Sequence, residues 1–376
     1  MKKLSLLLCL ILLLSGCGTA TGPEDTNNTD THLYASIEPM ETVPSDTQIL
    51  MRQMTLEEKV GQLFIVAATD DMSQAIKDYR LGGIVLFDRD FEDQTPASFV
   101  ETLSLYQSQS TIPLFVAVDE EGGTVCRASA HKAFRSERFP SPQNVYATGG
   151  IEQLVQAELE KSEFLIRLGI NVNFAPVCDI TTDENAFMYK RSLGLDAQTT
   201  ASCITSIVET MNASRIGSVL KHFPGYGNNT DTHIAAAVDD RTLEQLENCD
   251  LVPFQAGVNA GCGAIMVSHT IINALDPASP ASLSLPVHQY LRDKMQFDGV
   301  IITDDLQMDA ISAHYSDDEA AVQALLAGND LLCTWSYETQ YDAVLKAVQD
   351  GRISLQRIED SVLRVLHWKQ QLGLVR

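Results

Sequence analysis

One stretch of the chain concentrates groups able to do acid, base and electrostatic chemistry. It is Lys221-His222-Phe223-Pro224-Gly225-Tyr226-Gly227-Asn228-Asn229-Thr230-Asp231-Thr232-His233. The apolar run from Gly217 to Leu220 precedes it and reads as a buried strand. A lysine, two histidines and an aspartate are therefore displayed on a Gly- and Asn-rich loop at a strand end, which packing alone does not account for. Asp231 and His233 are close enough in sequence to form a carboxylate–imidazole pair. Imidazole titrates near neutrality, so it can give a proton to a leaving oxygen and later take one from water.

Positioning such groups needs a scaffold, and the rest of the sequence supplies its pattern. Short apolar runs at residues 61–67, 83–87, 114–119, 172–177, 218–222, 264–269, 300–304 and 331–334 read as parallel strands buried on both faces. Helical patterns lie between most of them, at 151–168, 242–260, 286–294 and 317–327, with a last one at 355–372. Thr55-Leu56-Glu57-Glu58 is a capping-box signal for the first helix. Eight strands alternating with helices predict a single (β/α)8 TIM-type barrel over residues 47–376, with a doubly wound sheet as the alternative. No dinucleotide fingerprint follows the first strand, and Gly122-Gly123 and Gly149-Gly150 read as turns.

Active sites of such barrels form where strands end and βα loops begin. The third strand ends in Asp119-Glu120-Glu121-Gly122-Gly123, followed by Arg127. The fourth ends near Asp179, with Arg191 farther on. The fifth yields Lys221 and His222, the sixth Ser268-His269, and the seventh Thr303-Asp304-Asp305. Such groups would hydrogen-bond a polyhydroxylated ligand well, with carboxylates accepting from its hydroxyls and Lys and Arg donating. Asp304 is placed to attack an electrophilic carbon. Strand alternation is expected to send only one of Asp304 and Asp305 into a pocket, without saying which. Blander roles stay open: His222 and His269 as satisfied core histidines, and Asp179 and Asp305 as caps or structural acceptors.

The N-terminus reads as an export signal. Lys2 and Lys3 precede an apolar stretch from Leu4 to Leu14, too short for the roughly 20 residues of a membrane-spanning helix. Residues 1–16 are expected to be a lipoprotein signal peptide, because Leu14-Ser15-Gly16-Cys17 resembles a lipobox with Cys17 as the lipidated residue. Residues 17–46 are polar and read as a flexible tether. The expected location is extracytoplasmic, at the bacterial cell membrane, held by lipid alone. A formal charge of −24 argues against nucleic acid as a partner. None of the cysteines has CxxC spacing, and those of the barrel are expected to be buried free thiols.

The strand-end segments resemble the β-N-acetylhexosaminidase (β-N-acetylglucosaminidase) branch of glycoside hydrolase family 3. Those carrying the resemblance include Gly82-Gly83-Ile84-Val85-Leu86-Phe87, Val118-Asp119-Glu120-Glu121-Gly122-Gly123, Asn173-Phe174-Ala175-Pro176-Val177-Cys178-Asp179, Arg191-Ser192-Leu193-Gly194, Lys221-His222-Phe223-Pro224-Gly225, Met266-Val267-Ser268-His269 and Thr303-Asp304-Asp305-Leu306. The match runs from Met54 to Leu374. It implies a retaining exo-hydrolase of terminal β-linked N-acetylglucosamine, acting on peptidoglycan fragments (muropeptides) or related glycans. Asp304 would be the nucleophile, and His233 paired with Asp231 the acid/base. Asp119, Arg127, Arg191, Lys221 and His222 would hold the sugar. No metal or organic cofactor is implied, and a monomer is expected. Related β-glucosidases usually take their acid/base from a second domain. No C-terminal second domain is expected here, so the histidine loop is expected to supply the proton. The sequence departs from the pattern at Asp90, Glu120, Thr124, Tyr226 and Asn228, and in a segment from Lys221 to His233 that is one residue short. Four alternatives stand beside this reading: an impaired sugar-binding lipoprotein on the same fold, a β-glucosidase-like hydrolase, an imine-forming Lys221, and a metal-dependent hydrolase using His222, His233 and His269.

Overall fold

In the computed structural model residues 44–227 and 237–376 are described. The expected signal peptide, Cys17, most of the tether and the Asp231–His233 pair lie outside the described residues. Two capped helices, Asp46–Gln53 and Leu56–Gly61, open the described chain. The capping box forms as its sequence predicts: the Thr55 N–H donates to Glu58 at 2.8 Å, and the Glu58 N–H donates to the Thr55 hydroxyl at 3.2 Å.

Eight short strands follow, each flanked by helix: β1 (Phe64–Ala67), β2 (Gly83–Leu86), β3 (Phe115–Val118), β4 (Val172–Asn173), β5 (Gly217–Phe223), β6 (Ala264–Val267), β7 (Val300–Thr303) and β8 (Leu332–Thr334). All eight are fully buried. Their apolar runs, with no polar face, are what a sheet covered on one side by helices and filled on the other requires. Every neighbouring pair is parallel, in the order β7-β6-β5-β4-β3-β2-β1-β8. The outer members meet through a parallel bridge between Ile302 and Leu331, with the Thr303 N–H donating to the Leu331 carbonyl at 3.1 Å. Closure removes both sheet edges, so the architecture is the (β/α)8 barrel and the doubly wound alternative falls.

Local chemistry shortens some elements relative to their sequence patterns. The fourth strand was expected over 172–177 but pairs only at Val172 and Asn173 before a single bridge from Val177 to Lys221. Pro176 has no N–H to give the ladder. After β3 the chain folds into a hairpin of Glu120–Gly122 with Val125–Cys126. Gly122 and Gly123 turn it at φ 102° and 68°, and a Cβ on Gly122 would lie 2.4 Å from the Pro140 carbonyl oxygen. The helical stretch Pro142–Arg167 is two helices meeting at Gly149-Gly150, where both glycines leave helical geometry, so the second starts at 151 as expected.

The last helix, Leu355–Gln371, buries Ile358, Val362, Val365 and Leu366 as its periodicity predicts. It closes the N-terminal end of the barrel, where the Trp368 ring lies 4.5 Å from that of Phe115. The six cysteines of the barrel are free thiols, and all but Cys249 are buried. Among the described residues no helix is long and apolar enough to cross a membrane.

Candidate active site

At the C-terminal end of the barrel a cavity of about 500 Å³ collects side chains from most of the strand ends. Asp119 enters it after β3, Lys221 and His222 from β5, and Asp304 and Asp305 after β7. Arg127 follows the hairpin, and Arg191 lies on the long βα loop after β4. Phe87 and Phe187 wall the cavity, and Cys333 of β8 lies beneath the carboxylates.

Lys221 is the centre of the cluster. Its side chain is 2% exposed, and its ammonium lies 2.5 Å from Asp119 Oδ1 and 2.7 Å from Glu121 Oε1. Burial alone would push that ammonium down, but Asp119 and Glu121 together hold it above the usual lysine range. Glu121 in turn accepts a two-pronged bond from Arg191, at 2.9 Å from Nε and 2.6 Å from Nη2. Burial raises the Glu121 carboxyl, and the Lys221 and Arg191 charges outweigh it, so it is held well below its usual range.

His222 is fixed by a different carboxylate. Asp179, wholly buried, takes the His222 ring at Nδ1 at 2.8 Å, the His222 backbone N–H at 3.1 Å and the Tyr226 N–H at 2.8 Å. A carboxylate only accepts, so the ring proton sits on Nδ1. Nε2 then accepts from Arg191 Nη2 at 3.2 Å. Glu120 faces away from the cavity. It binds the backbone N–H groups of Arg127, Ala128 and Ser129 at 3.0, 2.8 and 3.3 Å, which shapes the segment that presents Arg127. Arg127 itself reaches Asp119 only at 3.9 Å, and its buried Nε has no partner among the described residues.

Asp304 sits one residue past β7, half-buried, with its N–H donating to the Val267 carbonyl at 3.0 Å and its Oδ1 accepting the Asp305 N–H at 2.9 Å. Asp305 Oδ1 accepts the Gln307 N–H at 3.0 Å, and the Asp305 carbonyl accepts from His269 Nε2 at 2.8 Å. Both carboxylates border the cavity. Only one was expected there, but β7 stops at Thr303 and strand alternation no longer governs the two residues.

Asp119, Arg127, Arg191, Lys221, His222 and Asp304 thus converge, while Asp231 and His233 fall in the segment outside the described residues. Sequence reasoning passed over Glu121. The signal was present: positions 119 and 121 of an extended segment face the same side. Asp179 is a structural acceptor, one of the bland roles left open for it. An imine-forming Lys221 conflicts with the geometry, because such a lysine must lose its proton and this one is clamped between two carboxylates. Both ring nitrogens of His222 and of His269 are engaged by protein groups, which weakens the metal-hydrolase alternative.

A closed parallel barrel with a carboxylate-rich, cation-bearing mouth suits a polyhydroxylated ligand. The chain belongs to glycosyl hydrolase family 3: the model of that family's N terminal domain matches residues 55–368. It is 28% identical over 374 residues to a beta-hexosaminidase, LpqI, of Mycobacterium tuberculosis, covering 96% of this chain and 94% of that protein. It is also 28% identical to a beta-N-acetylglucosaminidase/beta-glucosidase of Cellulomonas fimi, covering 87% of this chain but only 59% of the relative. Among solved structures, a family 3 beta-N-acetylglucosaminidase from Paenibacillus sp. superposes with a TM-score of 0.80 at 34% identity, covering 85% of this chain and 63% of that one.

Proposed function

We propose that the chain is a retaining exo-β-N-acetylhexosaminidase that releases terminal β-linked N-acetylglucosamine from peptidoglycan fragments or related glycans. The observation that carries this reading is the position of Asp304, which borders one cavity together with the Asp119–Lys221 and Arg191–His222 pairs. A sugar ring gripped by these polar groups would present its anomeric carbon to the carboxylate. The names of the hexosaminidase relatives support the same substrate class.

In the proposed reaction the Asp304 carboxylate forms a bond to the anomeric carbon as the bond to the leaving oxygen breaks. His233, oriented by Asp231, gives that oxygen its proton. Water then attacks the glycosyl-enzyme, His233 takes the water's proton, and Asp304 is released. The usual retaining pair is two carboxylates, and here imidazole takes one of the two roles. Asp119, Arg127, Arg191, Lys221 and His222 hold the sugar. Export as a lipoprotein anchored through Cys17 completes the reading, with the barrel facing cell-wall glycan outside the membrane.

The test is release of p-nitrophenol from the aryl N-acetylglucosaminide. Asp304→Ala is expected to abolish turnover, a loss on the order of 10⁴-fold or more for a missing nucleophile. Activity retained in Asp304→Ala but lost in Asp305→Ala would overturn the assignment. Sugar binding without turnover in the wild type would favour the impaired sugar-binding alternative. Mass spectrometry of muropeptides incubated with and without phosphate identifies the product and the acceptor.

A further inference from the structure

Behind the sugar-binding cluster lies a second buried ion pair that the proposed reaction does not use. Glu158 and Lys161 are one turn apart on the helix Pro142–Arg167, on the face packed against the barrel. Their side chains are 5% and 9% exposed, and Lys161 Nζ lies 2.9 Å from Glu158 Oε2. The same ammonium donates to the backbone carbonyl of Glu121 at 3.4 Å. Ser162 Oγ steadies the pair from the other side, donating to Glu158 Oε1 at 3.4 Å. A small, mostly apolar cavity of about 30 Å³ is bordered by these four charged residues, Glu121, Glu158, Lys161 and Arg191.

Stability alone does not account for this pair. Removing two charges from water is costly, and apolar residues of similar size often serve a core equally well or better. What the pair does have is a specific reach. Glu121 is the only described carboxylate paired with both Lys221 and Arg191. Its side chain points into the cluster, while its backbone carbonyl points back to Lys161. The hairpin that carries it turns on two glycines at positive φ, so its conformation is not set by side-chain sterics there. Asn173 and the Cys126 pairing hold Glu120, and the Gly123 N–H is bonded to Phe139; the cation on the neighbouring helix adds a restraint at the Glu121 carbonyl itself.

We infer that Glu158 and Lys161 are positioning residues for the sugar site: Glu158 aims the Lys161 ammonium at the Glu121 carbonyl, and this sets the carboxylate that aligns Lys221 and Arg191. The inference rests on the proposal that this cluster grips the sugar.

The experiment is the double substitution Glu158→Leu with Lys161→Met, which replaces the pair by apolar groups of similar volume. The expected result is a protein that melts close to the wild type. Its KM for the aryl N-acetylglucosaminide and its calorimetric Kd for N-acetylglucosamine should rise about tenfold, equivalent to ~1.4 kcal/mol of binding, with kcat changed far less. A purely structural pair predicts the opposite pattern, an altered melting temperature with KM and Kd unchanged in the folded protein, and that result overturns the inference. Glu158→Gln is the second arm, because it keeps the shape and an acceptor for Lys161 while removing the charge that fixes it. A smaller rise in KM is expected there, and none would again overturn the inference. A wild type that binds the sugar without turning it over removes the hydrolase reading and leaves the Kd comparison to decide. A wild type that does not bind the sugar overturns both.

Discussion

Glu121 shows how much of this site depends on one residue that does not face solvent. Its carboxylate is 1% exposed and answers two cations, Lys221 at 2.7 Å and Arg191 at 2.6 Å. Removing one member of a buried charge cluster costs about 3–5 kcal/mol, because the partners stay buried without compensation. Glu121→Gln is therefore expected to lower kcat/KM by on the order of 10²-fold or more and to lower the melting temperature at pH 7. The pH dependence carries a further mark. Lys221 and Arg191, overriding burial, hold the Glu121 carboxyl below its unfolded value. Its stabilisation is thus fully present above the ordinary glutamate pKa of about 4.3 and is lost as pH falls below it. Melting curves from pH 7 to pH 3 are expected to show the wild type's advantage over Glu121→Gln shrinking in the acid range. A constant difference would mean that Glu121 is not the ion that holds the two cations.

Elements were easier to read from sequence than the joints between them. Seven of the eight strands announced themselves as apolar runs, and their alternation with helices predicted a barrel over a doubly wound sheet, a choice that the Ile302–Leu331 bridge decided. The fourth was legible only at its start, because backbone donors decide where a ladder stops and Pro176 lacks one. Residues at strand ends were legible because the barrel aims them one way, which is how Asp119, Lys221 and Asp304 were found. Glu121 was legible in the same way, two positions past Asp119 on the same side, though its partner Arg191 lies 70 residues on; the Glu158–Lys161 pair was not, since its contact is with Glu121 40 residues away along the chain. The closing of the barrel's other end was equally hidden. Gly263 and Gly217 give no sign in sequence that Trp368 of the last helix packs on them. A Cβ on Gly263 would lie 1.9 Å from Trp368 Nε1, and one on Gly217 would lie 2.8 Å from its Cζ2. Gly263→Ala is expected to destabilise by about 1–3 kcal/mol through overpacking, with little change in KM because the cavity is at the opposite end of the strands. Chemical denaturation beside steady-state kinetics checks both halves. A raised KM with unchanged stability would show that the two ends are coupled.

At the scale of the whole molecule, two of the buried lysines, Lys221 and Lys369, sit at opposite ends of the barrel and serve different purposes. Lys221, at the mouth, lies between two carboxylates and stays charged. Lys369, at the closed end, is fully buried, donates to Gln62 Oε1 at 2.7 Å and lies 4.9 Å from the Phe115 ring centroid, with no carboxylate paired to it among the described residues. Burial holds its ammonium well below the usual lysine range. This matches the division of a (β/α)8 barrel, in which one end does chemistry and the other supplies stability. The consequence is a sign that can be measured. Below the ordinary lysine pKa of about 10.4 the unfolded chain binds a proton that the folded protein refuses. Stability is therefore lost as pH falls from there toward the depressed folded value, at up to about 1.4 kcal/mol per pH unit for one proton. Lys369→Met removes that dependence. The orphaned Gln62 oxygen shifts the variant's stability by a constant, so the slope rather than the level is diagnostic. Melting temperatures between pH 10 and pH 7 are expected to move steadily in favour of Lys369→Met as pH is lowered. A difference that does not change with pH would mean that Lys369 keeps its charge when folded, held by the face of the Phe115 ring, and that this end of the barrel tolerates an unpaired cation.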